Sequence, residues 1–451
     1  MFGVNTLGNA KNKSAQSFVS DQEVQSVYGS LDLSYKEFLF LTATTRRDWF
    51  STLATPGVDT DKGITYPGVS GSFVFSELWK PDFLSFGKIR AGYSRVGQAT
   101  IPYQTQLSYA FLPATLNGLP LGTISPDNVN IPNRKLRSSE ATEFEIGTEL
   151  AFVQNRVRLD LTFYKKKSSN EIVFAPASIS SGYQGAVLNA GEMENKGVEM
   201  LLTLVPVKTA NFTWTSSLNG AYNKNTVLSL AAGQQQSVYA TSRSGVGFVG
   251  QVVGKPFGQM LAYDYKYNAD GSIATTTNGV PVRGELTSYG TAFHPWTAGW
   301  NNDFTFNRIN LGVLIDGKFG GKIFSATDYY GTVFGLRKET LVNREGTFGA
   351  DKVDATTYYG TLANNVSKDF VQNASFIKLR QVTLGYNFPS ALFGNHIQRL
   401  NLSLVARNLF FISRKTDNID PEGSYNAFSQ GLELGGVPPS RTYGVNLSAK
   451  F

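Results

Sequence analysis

From end to end the chain repeats a period of two. In Val157–Tyr164 one side carries Val157, Leu159, Leu161 and Phe163, and the other Arg158, Asp160, Thr162 and Tyr164. Ile309–Lys318 sets Ile309, Leu311, Val313 and Ile315 against Asn310, Gly312, Leu314, Asp316 and Lys318. The last nine residues set Tyr443, Val445, Leu447, Ala449 and Phe451 against Gly444, Asn446, Ser448 and Lys450. Phe144–Phe152, Phe212–Asn223, Trp296–Phe306 and Leu400–Arg407 alternate likewise. Side chains of a strand point to opposite faces in turn, so this pattern predicts β-strands with one apolar and one polar face. Phe376–Tyr386 slips phase between Leu379 and Val382, which predicts a bulge.

Thirteen strands are expected, beginning near Val24, Phe38, Val69, Lys88, Thr142, Arg156, Gly197, Phe212, Trp296, Ile309, Phe376, Leu400 and Arg441. Their connections alternate in length. Lys36–Glu37, Gln154–Asn155 and Asn307–Arg308 are short, and Trp79–Gly87, Pro206–Asn211 and Pro389–Gln398 are medium. Between them fall the long segments Ser51–Gly68, Gln98–Glu140, Lys167–Asn195, Ser229–Pro295, Gly320–Ser375 and Ser413–Ser440. Short turns at one end and long loops at the other mark an outer-membrane barrel. Soluble sandwiches alternate too, but rarely carry so many long insertions at a single end.

Strands one and thirteen are expected to run the same way, so they cannot close an up-and-down antiparallel barrel. Single-chain bacterial barrels have an even strand number, and an open edge has unpaired backbone groups that lipid does not tolerate. The expectation is an all-β transmembrane antiparallel β-barrel of which this chain is the carboxyl-terminal fragment, with further strands before Met1. Residues 1–22 read as a remnant of an extracellular loop and 23–451 as barrel. Outward aliphatic and aromatic residues then meet hydrocarbon, and inward Asn, Ser, Thr, Asp, Lys and Gly meet water or a plug. Tyr35, Trp49, Tyr164, Tyr222, Trp296, Trp300 and Tyr443, near strand ends, fit interfacial girdles.

Composition narrows the functions. Aromatics make up 13% of the chain and charged residues 17%, the latter below the usual quarter, which favours β-structure over charged helices. With no cysteine, disulfides, thiolate metal sites and cysteine nucleophiles are excluded. Only His294 and His396 are present, which argues against histidine-centred chemistry. The net charge of +7 asks for no nucleic acid. No run of ~20 apolar residues marks a membrane helix, and Met1–Asp21 lacks the apolar centre of a secretory signal.

Several segments, in order, look familiar. Asn189-Ala190-Gly191-Glu192-Met193-Glu194-Asn195-Lys196-Gly197-Val198-Glu199 resembles the "NAG…ENKGVE" segment of the SusC/RagA family of TonB-dependent outer-membrane transporters. Leu41–Asp48 is similar to that family's "ATxRxD" strand, and Tyr66–Glu77 to its "YPSVSxGWxxSE". Tyr222–Asn225, Phe319–Lys322, Ala374–Tyr386, Arg407–Phe410, Asp420-Pro421-Glu422 and Pro438–Tyr443 continue the resemblance, which covers Leu31 to Phe451. It implies the carboxyl-terminal part of a 22-stranded plugged barrel, with about nine strands, the plug and the TonB-contacting segment lying elsewhere. It also implies import of oligosaccharides or peptides across the outer membrane of Bacteroidota-type bacteria, with a SusD-like surface lipoprotein over the mouth and TonB driving the plug. Loop aromatics Tyr329, Tyr330, Tyr358 and Tyr359 are candidate contacts for such a glycan or peptide, or for the lid; otherwise they pack against neighbouring loops. Phe451, ending an alternating strand, resembles the signal read by the barrel assembly machinery, and also reads as a lipid-facing girdle residue.

Other constellations weigh less. Asp417, Asp420 and Glu422, and Asp59 with Asp61 before Gly63, are oxygen-rich, but turn chemistry explains them without calcium. Glu143, Glu145 and Glu149 lie on one strand, where Glu145 and Glu149 share the lumen face and read as partners of Arg90 or Arg158 rather than as a hydrolytic pair. The two histidines form no triad, and Gly254-Lys255 runs into Pro256, which is no phosphate loop. Lys165-Lys166-Lys167 reads as a solvated rim. No catalytic residue, cofactor or metal is expected. The alternatives are a passive porin or surface-adhesion barrel, and a soluble β-sandwich or adhesin.

Overall fold

The strands form one continuous wall. A computed structural model describes residues 20–55, 57–58, 63–107, 109–117, 119–124, 130–176, 178–181, 183, 185–231, 233–389, 392, 397–424 and 429–451. Within it β1 (Val24–Tyr35), β2 (Leu39–Phe50), β3 (Gly63–Phe73), β4 (Leu84–Gln98), β5 (Ser139–Phe152), β6 (Val157–Pro176) and β7 (Gly185–Lys208) pair in chain order. The same sheet continues through β8 (Phe212–Ser229), β9 (Trp296–Phe306), β10 (Ile309–Phe319), β11 (Phe376–Phe388), β12 (Arg399–Arg414) and β13 (Thr442–Lys450). Each strand is antiparallel to the next, so β1 and β13 point the same way, as the alternation of turns and loops predicts. Each pairs on one side only, and every residue of both is exposed. The other sheets among the described residues are short and belong to the segments between these strands.

The two-residue turns follow from backbone conformations with positive φ, the kind tight hairpins require. Lys36 and Glu37 have φ of 46° and 60°, Gln154 and Asn155 of 55° and 65°, and Asn307 of 50°. The predicted bulge is at Arg380: the pairing of β11 steps from Leu379 to Gln381 against both neighbours. The outward rows are as apolar as expected and largely exposed, with Phe306 at 55%, Leu404 at 55% and Val445 at 69%. An apolar surface of that extent is unstable in water and suited to hydrocarbon.

Three expectations need correction. Lys167–Asn195 is not a loop: β6 and β7 run on as a two-stranded ribbon to Pro176 and Gly185, leaving only 177–184 as connection. The ribbon hides its period because its part nearest the wall, Lys165–Ser169 against Glu192–Lys196, is polar and two register shifts, around Gly191, break the phase. Ion pairs across it, Lys165–Glu194 at 3.2 Å and Lys167–Glu192 at 3.0 Å, hold its base, and farther out Val187 and Ile172 pack against Phe50, Leu53, Ile64 and Leu136. Likewise β3 starts at Gly63 rather than Val69, and β4 at Leu84 rather than Lys88. Tyr164 does not belong to an outward girdle. It shares the lumen face with Asp160 and Thr162, and its ring lies across Gly197, where any Cβ would stand 2.4 Å from it.

The best-packed part of the chain is in the loops. Residues 230–295 contain a four-stranded sheet (Gln236–Thr241, Gly247–Val252, Gln259–Tyr265, Arg283–Thr291). Residues 320–375 contain α1 (Ala326–Val333) and α2 (Ala355–Asn365). With Leu432 of the last loop they share one core, in which Met260, Phe324, Ala363 and Leu432 have no exposure at all. The three longest loops of β8–β13 thus fold together as a cap at the loop end of the wall.

Candidate functional site

The site to examine is the polar face of the wall and the cap fixed to it. On β4–β6, Arg90 is held by Asp160 at 2.6 Å and Glu149 at 3.4 Å, while Lys88 also reaches Glu149 at 3.4 Å. Of the two carboxylates read from the sequence as its partners, Glu149 therefore pairs with Arg90, whereas Glu145 makes no ion pair among the described residues. Arg158 stands beside Ala151, one step nearer the turn, where no carboxylate faces it. Glu143 meets Lys166 at 3.8 Å. Glu143 and Glu149 are thus spent on neighbouring cations, which is a structural role across strands.

A second cluster ties the cap to the wall. The bulge gives β11 an extra side chain facing the lumen, Arg380, which binds Asp316 of β10 at 2.8 Å and Glu422 of the last loop at 2.9 Å. Lys378, only 2% exposed, reaches the same carboxylate at 3.2 Å and lies over the Phe411 ring. Burial alone pushes the Glu422 carboxyl up, but the Arg380 and Lys378 cations outweigh it and hold it below the ordinary glutamate range. Glu422 is therefore a clamp and has no free oxygen set for calcium. Asp420 accepts the Glu422 backbone N–H at 2.8 Å, an ordinary turn. Among the described residues no group of three or more acidic or histidine side chains suits a metal. Asp59, Asp61 and His396 lie outside the described residues.

Within the cap, buried Asp328 on α1 accepts from Asn418 at 2.9 Å and from Gln372, and meets Arg337 at 3.4 Å. Glu433, also buried, caps the start of α1 through the Thr327 N–H and hydroxyl, both at 2.9 Å. Two loops are thus stitched by charge-assisted bonds. His294 closes a third seam. Burial pushes its pKa down, so the neutral ring donates from Nε2 to the Ala374 carbonyl at 3.0 Å, a bond that pulls the other way.

The four candidate tyrosines divide. Tyr329 is in the cap core with its hydroxyl on Asn364 at 2.9 Å. Tyr359 is buried and donates to the Glu339 and Val342 carbonyls, and Tyr358 stacks on Phe348 with ring centres 3.8 Å apart. Their surfaces are used inside the cap. Tyr330 alone remains open, 37% exposed and stacked with Phe334, which is 66% exposed. Leu336, Leu341 and Val342 extend this exposed apolar patch along the chain.

A face missed in the sequence lies on the cap sheet. Tyr263, Tyr265 and Tyr267 alternate with Asp264 and Lys266, a period-two stripe that sits inside a segment read as loop. Arg283 lies over Tyr263 and Lys368 over Tyr265, at 4.3 and 4.6 Å from the ring centres. Burial would raise the Asp264 carboxyl, yet Lys368 at 2.6 Å holds it low. Aromatic faces beside fixed carboxylates suit polyhydroxylated or amide-bearing ligands.

On the lumen face of β9–β13 a cavity of about 630 Å³ is lined by polar side chains, among them Asn301, Asp303, Asn387, Asn401 and Ser448. One face of the wall is therefore polar and the other apolar.

Comparison with known proteins places this arrangement. The family model described as TonB dependent receptor-like, beta-barrel matches residues 2–409. The chain is similar to TonB-dependent receptor P3 of Formosa agariphila, 24% identical over 489 residues, covering 99% of this chain and 47% of that protein. It is similar to TonB-dependent receptor SusC of Bacteroides thetaiotaomicron at 21% identity over 468 residues, covering 98% and 45%. Among solved structures, the RagAB peptide transporter superimposes with a TM-score of 0.78 at 20% identity, covering 98% of this chain and 49% of that one. The chain spans about half the length of the curated relatives it matches.

Proposed function

Because the chain belongs to the TonB-dependent receptor-like β-barrel family of outer-membrane proteins, we propose that it forms wall and outer cap of an energised importer for a bulky nutrient, an oligosaccharide or a peptide. The observation that carries this reading is the union of a polar lumen face with a cap built from three loops and clamped to it at Glu422. The apolar outer rows supply residence in the membrane. The family is one of transporting barrels rather than enzymes, and the work of this chain is binding and gating. Its likeness to SusC and to the RagAB peptide transporter supports a SusD-like surface lipoprotein as lid and TonB as the source of energy, acting through parts of the importer outside this chain.

In this reading the exposed Tyr330–Phe334 stack is the contact for nutrient or lid, while Tyr329, Tyr358 and Tyr359 shape the cap beneath it. Phe451, 79% exposed, is the mark for barrel assembly and a lipid-facing residue at once. The test is accumulation of nutrient by cells that depend on this protein, with and without TonB. Loss of accumulation without TonB is expected. Undiminished uptake would sink active import and leave a passive pore. Replacing both Tyr330 and Phe334 by alanine is expected to weaken nutrient or lid capture while leaving the barrel's thermal stability unchanged.

A further inference from the structure

Across β6, β7 and β8 three lysines stand directly opposite one another: Lys165 faces Lys196, and Lys196 faces Lys224. All three belong to the outward rows. Pairing runs without a shift from Leu204–Val157 to these residues, so the parity that sets Phe163 outward sets Lys165 outward as well. Like charges directly opposite on neighbouring strands destabilise a sheet. Strands lie ~4.8 Å apart, so the three stems span roughly 10 Å of the rim.

Partial neutralisation comes from within. Glu194, tucked below the amines, meets Lys196 at 2.6 Å and Lys165 at 3.2 Å, and Glu192 meets Lys167 at 3.0 Å. Lys224 is exposed and meets no carboxylate among the described residues. Lys165, Lys167, Lys196 and Lys224 against Glu192 and Glu194 leave four minus two, a formal +2 on one patch of the outward surface.

The neighbours on this face say what fills it. The next outward row toward the turns is Phe163, Val198, Tyr222 and Trp296, with the Tyr222 and Trp296 rings tilted at 35° and their centres 4.3 Å apart. Aromatics of that kind sit at the level where hydrocarbon meets headgroup. The lysine row is one step beyond them, at headgroup height. Lys224 itself lines a cavity of about 390 Å³ whose walls join the rings of Tyr222, Phe257, Phe293 and Trp296 to the polar Asn223, Asn225 and His294.

We infer that this rim binds the phosphate-bearing headgroup of a glycolipid of the outer leaflet, with the lysine row taking the phosphate and the aromatic cavity taking the sugar or the first carbons of a chain. The assignment rests on the membrane reading of the outward face. It does not depend on the nutrient, so import and lipid docking are tested separately.

The protein is purified from its outer membrane in mild detergent, and co-purifying phosphorylated glycolipid is measured by mass spectrometry. Each lysine near an anionic surface contributes roughly fivefold in affinity, so the triple variant K165Q/K196Q/K224Q is expected to retain at least about tenfold less glycolipid. The lumen-facing Lys450→Gln is expected to retain the normal amount. E192Q/E194Q, which frees the lysines, is expected to retain more. Equal retention by the triple variant overturns the proposal. So does equal binding of the same glycolipid after its phosphate is removed, and so does displacement by inorganic phosphate at matching concentration. Should the triple variant fail to show the heat-dependent gel shift of a folded barrel, E192Q/E194Q decides, and unchanged or lower retention there overturns it.

Discussion

Replacing Glu422 by alanine tests how the cap is held. The change removes one carboxylate from three cations unequally, the half-exposed Lys318 having been the most distant at 3.8 Å. Arg380 keeps Asp316 at 2.8 Å, whereas Lys378, 2% exposed, keeps only the face of Phe411. Breaking a buried pair by removing one partner costs about 3–5 kcal/mol. The lower end applies, because Arg380 remains paired and Glu422 retains some solvent contact, 19% for its side chain. About 3 kcal/mol corresponds to a roughly hundredfold rise in the released state of the last loop. Limited proteolysis of the folded protein in detergent reads this directly, with new cleavage expected within residues 415–424 while the barrel keeps its heat-dependent gel shift.

The pH dependence has a definite sign. The Glu422 carboxyl is held below its ordinary value in the folded state, so its clamp is complete above the ordinary glutamate range and is lost as pH falls through the depressed value. Wild-type protein should gain the same cleavage sites on acidification, and E422Q should show them already at neutral pH. Cleavage that is equally slow in wild type, E422A and E422Q at neutral pH would refute the clamp.

Two further outcomes are specific. Gly197→Ala puts a Cβ 2.4 Å from the Tyr164 ring and should lower the barrel's melting temperature, with Tyr164→Ala in the same chain restoring most of the loss; additive losses would contradict the packing. Phe451→Asp should reduce the yield of folded protein in outer membranes, and unchanged insertion would remove the assembly role.

Much of the wall was legible because its two environments differ so strongly. Where one face meets hydrocarbon and the other water, as in Ile309–Lys318 or Tyr443–Phe451, alternation is strict and the strand is unmistakable. The Arg380 bulge also announced itself, since one extra residue reverses the phase. Legibility fails where the environment becomes uniform. At the base of the β6–β7 ribbon neither face meets hydrocarbon, so Lys165–Lys167 looked like a loop start although cross-strand ion pairs continue the sheet. The cap was read as loop for a different reason. Its core joins Met260, Phe324 and Leu432 from three segments far apart in sequence, and no local period reports such contacts. For the same reason the sequence left Tyr329 and Tyr359 open between ligand contact and packing against neighbouring loops. An aromatic in a long loop looks alike whether it faces solvent or a neighbouring loop, and only Tyr330 faces outward.

In a membrane wall the outward rows lie in lipid and the inward rows in water. The chain has no cysteine, so single cysteines report cleanly. Leu402 and Val445 face outward, and their neighbours Asn401 and Asn446 face the lumen. With each replaced in turn by cysteine in intact outer membranes, a water-soluble maleimide should label positions 401 and 446 and spare 402 and 445. A fluorophore at 402 or 445 should be quenched by a lipid-borne quencher. Equal aqueous labelling of all four positions would contradict the membrane wall and everything built on it.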